Sequence, residues 1–120
     1  MQNKHSRTYG EIWWTQCSPS QGNEFRDRHP VVIIQSDHVQ RKNDSGVTTV
    51  MIMSSYKGKR GPYDFLVPSS PINGLMKPTL LKVEYITSFD HARFIKKIGE
   101  LEGEWIGKIK EYLKAHFDLP

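Results

Sequence analysis

Apolar residues fall in short runs divided by turn chemistry, a pattern that predicts strands before it predicts anything else. Tyr9 to Gln16 reads as a first strand, because Tyr, Ile, Trp and Thr all suit a pleated, half-buried surface. Side chains alternate along a strand, so the adjacent Trp13 and Trp14 point to opposite faces. One can enter the core, and the other then faces a groove, a partner or a second layer. Val31 to Gln35 is a second strand, apolar at four successive positions and so covered on both faces. Ser36 can cap a short helical turn that ends at Asn43-Asp44-Ser45-Gly46. Val47 to Met53, Tyr63 to Val67 and Thr79 to Ile86 supply a third, fourth and fifth strand, and Arg93 to Leu101 a further one. The period then changes. Trp105, Ile106, Ile109, Tyr112, Leu113 and Phe117 recur at steps of one, three and four, which predicts a helix over 102–117 with a single apolar stripe.

Five or six short strands followed by one helix predict a small curled sheet or barrel with the helix packed on it. The chain has 120 residues, the size of one domain. A net charge of +4 is a mild basic bias that favours a polyanionic partner. Cys17 is the only cysteine, so no intrachain disulfide forms and metal sites built on several thiolates are excluded. The five histidines show no metal-ligand spacing. Met-Gln-Asn-Lys-His is a polar opening without an apolar signal region, and no apolar run reaches membrane-spanning length. The expectation is a cytoplasmic protein with no membrane contact, no cofactor and no metal.

The loops carry the chemistry. Residues 22 to 35 join a flexible charged segment to an apolar strand. Gly22 permits a turn, and Pro30 belongs at the start or the edge of a strand. Between them lie Glu24, Arg26, Asp27, Arg28 and His29. A second loop, 54 to 62, reads Ser-Ser-Tyr-Lys-Gly-Lys-Arg-Gly-Pro and is basic. On the fifth strand Lys82 and Glu84 share one face, two residues apart, while Leu81, Val83 and Tyr85 share the other.

The order of these features resembles a known family. Tyr-Gly-Glu-Ile-Trp-Trp (9–14), Ser-Pro-Ser-Gln-Gly-Asn-Glu (18–24) and His-Pro-Val-Val-Ile-Ile (29–34) resemble the opening of PemK/MazF toxins. Ile-Met-Ser-Ser (52–55) resembles the strand end where that family carries a hydroxyl pair, and 81–90 resembles its segment of a basic residue, an acid, a Gln and a Thr-x-Asp turn. The resemblance spans about residues 9 to 117. It implies an SH3-like β-barrel, mostly β with a C-terminal α-helix, as one domain and usually a homodimer. It further implies a metal-independent endoribonuclease of a toxin–antitoxin system that cuts single-stranded RNA to a 2′,3′-cyclic phosphate and a 5′-hydroxyl, and an antitoxin whose tail occupies the RNA groove. Most members carry a catalytic Arg directly before the Pro that opens the second strand. Here the slot holds His29, with Arg28 one residue earlier. Tyr85 and Thr87 also depart from the Gln and the basic residue common there.

RNA self-cleavage needs a base for the 2′-hydroxyl, an acid for the leaving 5′-oxygen, positive charge on the phosphorane and in-line geometry. The catalytic reading assigns proton transfer to Glu84 and His29, phosphate charge to Lys82 and Arg28, and orientation of the phosphate to Ser54. Imidazole is the side chain suited to both proton roles, and a guanidinium is a forked phosphate clamp. Glu24, Arg26, Ser55, Tyr56, Lys57, Lys59, Arg60 and Tyr85 are the wider RNA-binding set. Glu24 reads as structural, pinning its loop; Lys57, Lys59 and Arg60 neutralise backbone phosphates; Trp14 or Tyr56 could stack a base. Against these stand plainer readings: a surface Lys82–Glu84 pair, a loop histidine, and a solvated basic loop. Two rival functions follow. One keeps the fold without catalysis, binding RNA or antitoxin. The other is a gyrase-directed, CcdB-like toxin, which the ending Phe117-Asp118-Leu119-Pro120 does not favour.

Overall fold

A computed structural model describes residues 7–17, 27–42 and 46–120. Its strands are β1 (Glu11–Gln16), β2 (Arg28–Ile33), β3 (Val47–Ser55), β4 (Phe65–Val67), β5 (Thr79–Asp90) and β6 (Phe94–Glu100), with helices α1 (Asp37–Lys42) and α2 (Gly103–His116). All pair antiparallel in one six-stranded sheet of order β4-β5-β3-β2-β1-β6. The expected curled sheet with a closing helix is what forms. Val39 N–H donates to Ser36 Oγ at 3.2 Å, so Ser36 caps α1 as its sequence suggests.

The sheet has an apolar face on each side. Ile12, Val32, Met51, Met53, Leu81 and Val83 pack beneath α2, whose Trp105, Ile106, Ile109, Tyr112 and Leu113 close the main core. Val31, Ile33, Val50, Ile52 and Phe89 form a second cluster on the other side with Trp13 and Phe94. This explains the unbroken apolar run in β2: successive residues feed different cores. Trp13 meets Phe94 edge to face at 5.9 Å. Trp14, on the opposite face, is half-buried.

Several boundaries differ from expectation, β3 running on to Ser55 and β4 beginning only at Phe65 among them. β2 begins at Arg28 rather than Val31 and ends at Ile33, because β1 pairs with it as far as Gln16↔Arg28 and Cys17 N–H donates to Asp27 O at 2.7 Å. Gln35 thus leaves the strand, and its buried Oε1 accepts from Thr49 N–H at 2.9 Å. β1 begins at Glu11 because Gly10, at φ 91°, makes a turn. β5 runs on to Asp90 because the ladder with β3 continues through Val47↔Asp90. That ladder is broken once. Met51 pairs with Ile86 and Met53 with Leu81, so Lys82 to Tyr85 form a corner where β5 leaves register.

Candidate active site

The site begins with a proline. Carrying the β2–β3 register of Val31↔Ile52 one step further would set Pro30 against Met53. Proline has no N–H to donate. The Met53 carbonyl is instead met by the neighbouring side chain, His29 Nδ1, at 3.1 Å. A carbonyl can only accept, so in this contact Nδ1 is the donor. The backbone of His29 is fixed as well, its carbonyl accepting from the buried Thr15 Oγ1 at 2.9 Å.

Around His29 the strand ends converge. Arg28 is exposed, with Nε donating to Gln16 Oε1 at 3.3 Å. Asp27 enters the strand at φ 62°, a left-handed conformation that Asp tolerates better than most residues. Ser54 and Ser55 end β3, both half-buried. Together with Trp14 and Lys57 they line a cleft of about 780 Å³. Its far wall is Gly74 to Lys77 and Thr79, and β6 adds Lys96, Lys97 and Ile98.

The cleft is electropositive. Arg28, Lys57, Lys77, Lys96 and Lys97 line it against the single carboxylate of Asp27, among the described residues. Lys97 is partly neutralised by Glu11 at 3.2 Å and Glu100 at 3.3 Å. Burial alone would raise the Glu11 pKa, but hydrogen bonds from Trp13 Nε1, Thr8 and Lys97 outweigh it and hold the carboxyl below its ordinary value. No acid forms an ion pair with Arg28, Lys57, Lys77 or Lys96 among the described residues.

The far wall depends on two glycines. At Gly74, φ 69°, a Cβ would collide with the Ile98 carbonyl; at Gly99 a Cβ would collide with the Asn73 carbonyl. Bare backbone lets the 68–78 loop lie against β6, where Glu100 N–H donates to Ile72 O at 3.0 Å. Fully buried Asn73 organises the loop. Its Oδ1 accepts from Ser70 and Leu75 N–H, each at 3.0 Å, and its Nδ2 donates to Pro68 O at 3.0 Å and Glu102 Oε1 at 3.2 Å.

Of the residues singled out in the sequence, His29, Arg28, Ser54, Ser55 and Lys57 meet in this cleft. Lys82, Glu84 and Tyr85 do not line it. They sit at the β5 corner. Lys82 Nζ lies 2.7 Å from Asp64 Oδ2 and 5.8 Å from the Tyr85 ring centre. Glu84 is exposed near α2, where burial first, and the charges of Glu84 and Tyr63 second, raise the Tyr112 pKa. Tyr56, Lys59 and Arg60 are exposed on the basic loop and do not line the cleft either. Glu24 and Arg26 lie outside the described residues. Sequence reasoning missed Lys77, Lys96 and Lys97. The adjacent lysines on an edge strand were a usable signal, because one of any adjacent pair must face the groove side. Burial raises the Cys17 thiol pKa first, hydrogen bonding from Thr15 and the charge of Arg93 opposing it, which disfavours a thiolate. Among the described residues no three His, Cys, Asp or Glu side chains converge as metal ligands.

A curled antiparallel half-barrel with a basic, hydroxyl-bearing cleft at its strand ends places the chain in the small-barrel class. The chain belongs to the family of PemK-like, MazF-like toxins of type II toxin–antitoxin systems, whose family model matches residues 8–117. It is 29% identical to the endoribonuclease MazF9 of Mycobacterium tuberculosis over 113 residues, covering 92% of this chain and 95% of that one. It is 24% identical to the endoribonuclease EndoA of Bacillus subtilis over 110 residues, covering 92% and 93%. In three dimensions it matches MazF from Deinococcus radiodurans with a TM-score of 0.77 at 14% identity, over 95% of this chain and 98% of the other. A mycobacterial endoribonuclease in complex with its cognate antitoxin matches with a TM-score of 0.70 at 14% identity, over 96% of both chains. The fold is therefore the MazF fold. Among the described residues no helix is long and apolar enough to cross a membrane.

Proposed function

We propose that this chain is an endoribonuclease toxin that cleaves single-stranded RNA by transesterification, with the reacting phosphate held in the cleft at His29. His29 Nε2 takes the proton from the 2′-hydroxyl. The 2′-oxygen attacks phosphorus, and the bond to the 5′-oxygen breaks. The 5′-oxygen leaves with a proton drawn from a cleft ammonium or from water, giving a 2′,3′-cyclic phosphate and a 5′-hydroxyl. Arg28 bears the charge that builds on the phosphoryl oxygens, and the Ser54 hydroxyl donates to one of them. The nucleophile belongs to the substrate, so the step calls for no metal-bound water. Lys57, Lys77 and Lys96 carry the neighbouring phosphates. The protein works in the cytoplasm as a homodimer, and a cognate antitoxin neutralises it by occupying the same cleft.

The observation that carries this reading is the contact of His29 Nδ1 with the Met53 carbonyl, which orients the ring beside Arg28 and Ser54. The same contact favours a second reading: His29 only replaces the donor that Pro30 lacks, and the protein binds RNA without cutting it. His29→Asn separates the two, because its amide nitrogen can donate to Met53 but cannot act as a base. Long single-stranded RNA is incubated with each protein in EDTA, and the ends are mapped. Cleavage at a short recurrent sequence with cyclic-phosphate ends, slowed about 10²- to 10⁴-fold in His29→Asn, supports the base role. Equal cleavage by both proteins moves proton transfer away from His29. Intact RNA with wild type at every pH from about 5 to about 9 sinks the nuclease reading.

A further inference from the structure

The basic loop between β3 and β4 has no apolar anchor of its own. Its two tyrosines, Tyr56 and Tyr63, are 38% and 57% exposed. What holds it is polar. Tyr56 N–H donates to Pro78 O at 3.1 Å at one end. At the other, Asp64 Oδ2 accepts from Gly61 N–H at 2.7 Å and from Lys82 Nζ at 2.7 Å. The Asp64 side chain is 5% exposed and that of Lys82 is 20% exposed, so water screens this pair little. Lys82 directly follows Leu81, the residue paired with Met53, and opens the corner of β5. One carboxylate thus ties the glycine turn of the loop to the sheet at a defined point. Lys57, Lys59 and Arg60 all lie between the two ties.

We propose that Lys82 is a positioning residue: acting through Asp64, it holds the basic 56–62 loop in place to bind RNA beside the cleft, and it takes no part at the reacting phosphate. The inference rests on the RNA-directed reading above. An ammonium matched to a buried carboxylate has its charge engaged already, and Lys82 does not line the cleft. Removing it leaves Asp64 buried without its cation, and Gly61 loses a fixed acceptor. The three loop cations then sample many positions, and each phosphate contact carries a larger ordering cost.

The test compares wild type with Lys82→Met, Asp64→Asn and Lys82→Arg. Amide hydrogen exchange is followed on the peptide covering the loop. Affinity is measured for a 2′-O-methyl RNA oligomer, which cannot be cut, and single-turnover rates are measured on the matching ribo-oligomer. Lys82→Met and Asp64→Asn are expected to speed loop exchange about tenfold, to weaken RNA binding about five- to tenfold, and to flatten its salt dependence. The single-turnover rate at saturating RNA stays within about twofold. Lys82→Arg, which can still reach Asp64, restores both quantities. Unchanged loop exchange in Lys82→Met and Asp64→Asn overturns the proposal. So does a loss confined to the single-turnover rate with affinity intact, which would place Lys82 at the reacting atoms. If wild type binds the oligomer without cutting its ribo-counterpart, the nuclease reading fails while exchange and affinity still decide the role of Lys82.

Discussion

Gly74→Ala should cost far more stability than the same change at Gly58, and the difference measures how tightly the cleft wall is built. Both glycines have positive φ, 69° and 89°. An alanine in that conformation costs about 1 kcal/mol in backbone strain. At Gly58 the strain is the whole effect, because nothing lies within 4 Å of where the alanine methyl would sit. At Gly74 the methyl would run into the Ile98 carbonyl, which belongs to β6 and cannot swing aside. The 68–78 loop must therefore lift. Lifting strains or breaks the Glu100–Ile72 hydrogen bond and unsettles the four hydrogen-bond partners of Asn73. At about 1 kcal/mol for each of two bonds lost, the total for Gly74→Ala is about 3 kcal/mol, roughly a 10 °C fall in Tm for a domain of this size. Urea denaturation checks it: the midpoint should fall with the slope m unchanged. Because Leu75, Met76 and Lys77 form the cleft wall, Gly74→Ala should also raise KM for RNA, whereas Gly58→Ala changes stability by only about 1 kcal/mol. Equal stability losses at the two positions would refute the argument, because only the collision with β6 distinguishes them.

Other outcomes follow from single contacts. Glu11 titrates below its ordinary 4.5 in the folded protein, so its charged form stabilises the fold above that value and the contribution is lost as pH falls through the folded pKa; Glu11→Gln should flatten the fall in stability measured by urea melts below about pH 4.5. Cys17 is 4% exposed with a raised thiol pKa, so a thiol reagent at neutral pH should label native protein at least about a thousandfold more slowly than protein in urea. Trp14 lines the cleft while Trp13 packs on Phe94, so RNA should quench tryptophan fluorescence, and Trp14→Phe should remove most of that change.

Most of the fold was legible because its elements announce themselves through period. The stripe expected at 105, 106, 109, 112, 113 and 117 closes the main core at its first five positions, while Phe117 lies past α2 and is exposed. The strands were found by short apolar runs, and Ser36 was found as a cap. Where strands run further than expected, the cause is that pairing extends them beyond their apolar residues. Arg28 and His29 are polar and would read as loop, yet β1 carries them into β2 by offering a partner at every position to Gln16. Thr87, Ser88 and Asp90 likewise belong to β5 only because β3 lies beside them.

The site was less legible than the fold, for a reason the β5 corner makes plain. Lys82 and Glu84 were paired on the rule that residues two apart share a face, and Leu81 and Val83 do enter one core as that rule requires. A shared face does not place them at the cleft: Lys82 is paired with Asp64 at 2.7 Å, and neither Lys82 nor Glu84 lines it. His29 shows the opposite case, where a local rule reaches further than it first promises. Pro30 is read from sequence as a strand-start residue. Its missing N–H leaves the Met53 carbonyl to be met by the next side chain back, which needs a donor of about the length of imidazole. An arginine in that slot could also donate there, but it would remain a fixed cation. Histidine can meet the carbonyl and keep a proton-accepting atom on the far side of the ring. The two side chains therefore differ in the chemistry they offer at the slot while serving the strand alike. His29→Arg would put this to the test. If the fold stability holds and cleavage persists, the slot supplies charge. If stability holds and cleavage is lost, the slot in this chain supplies the base.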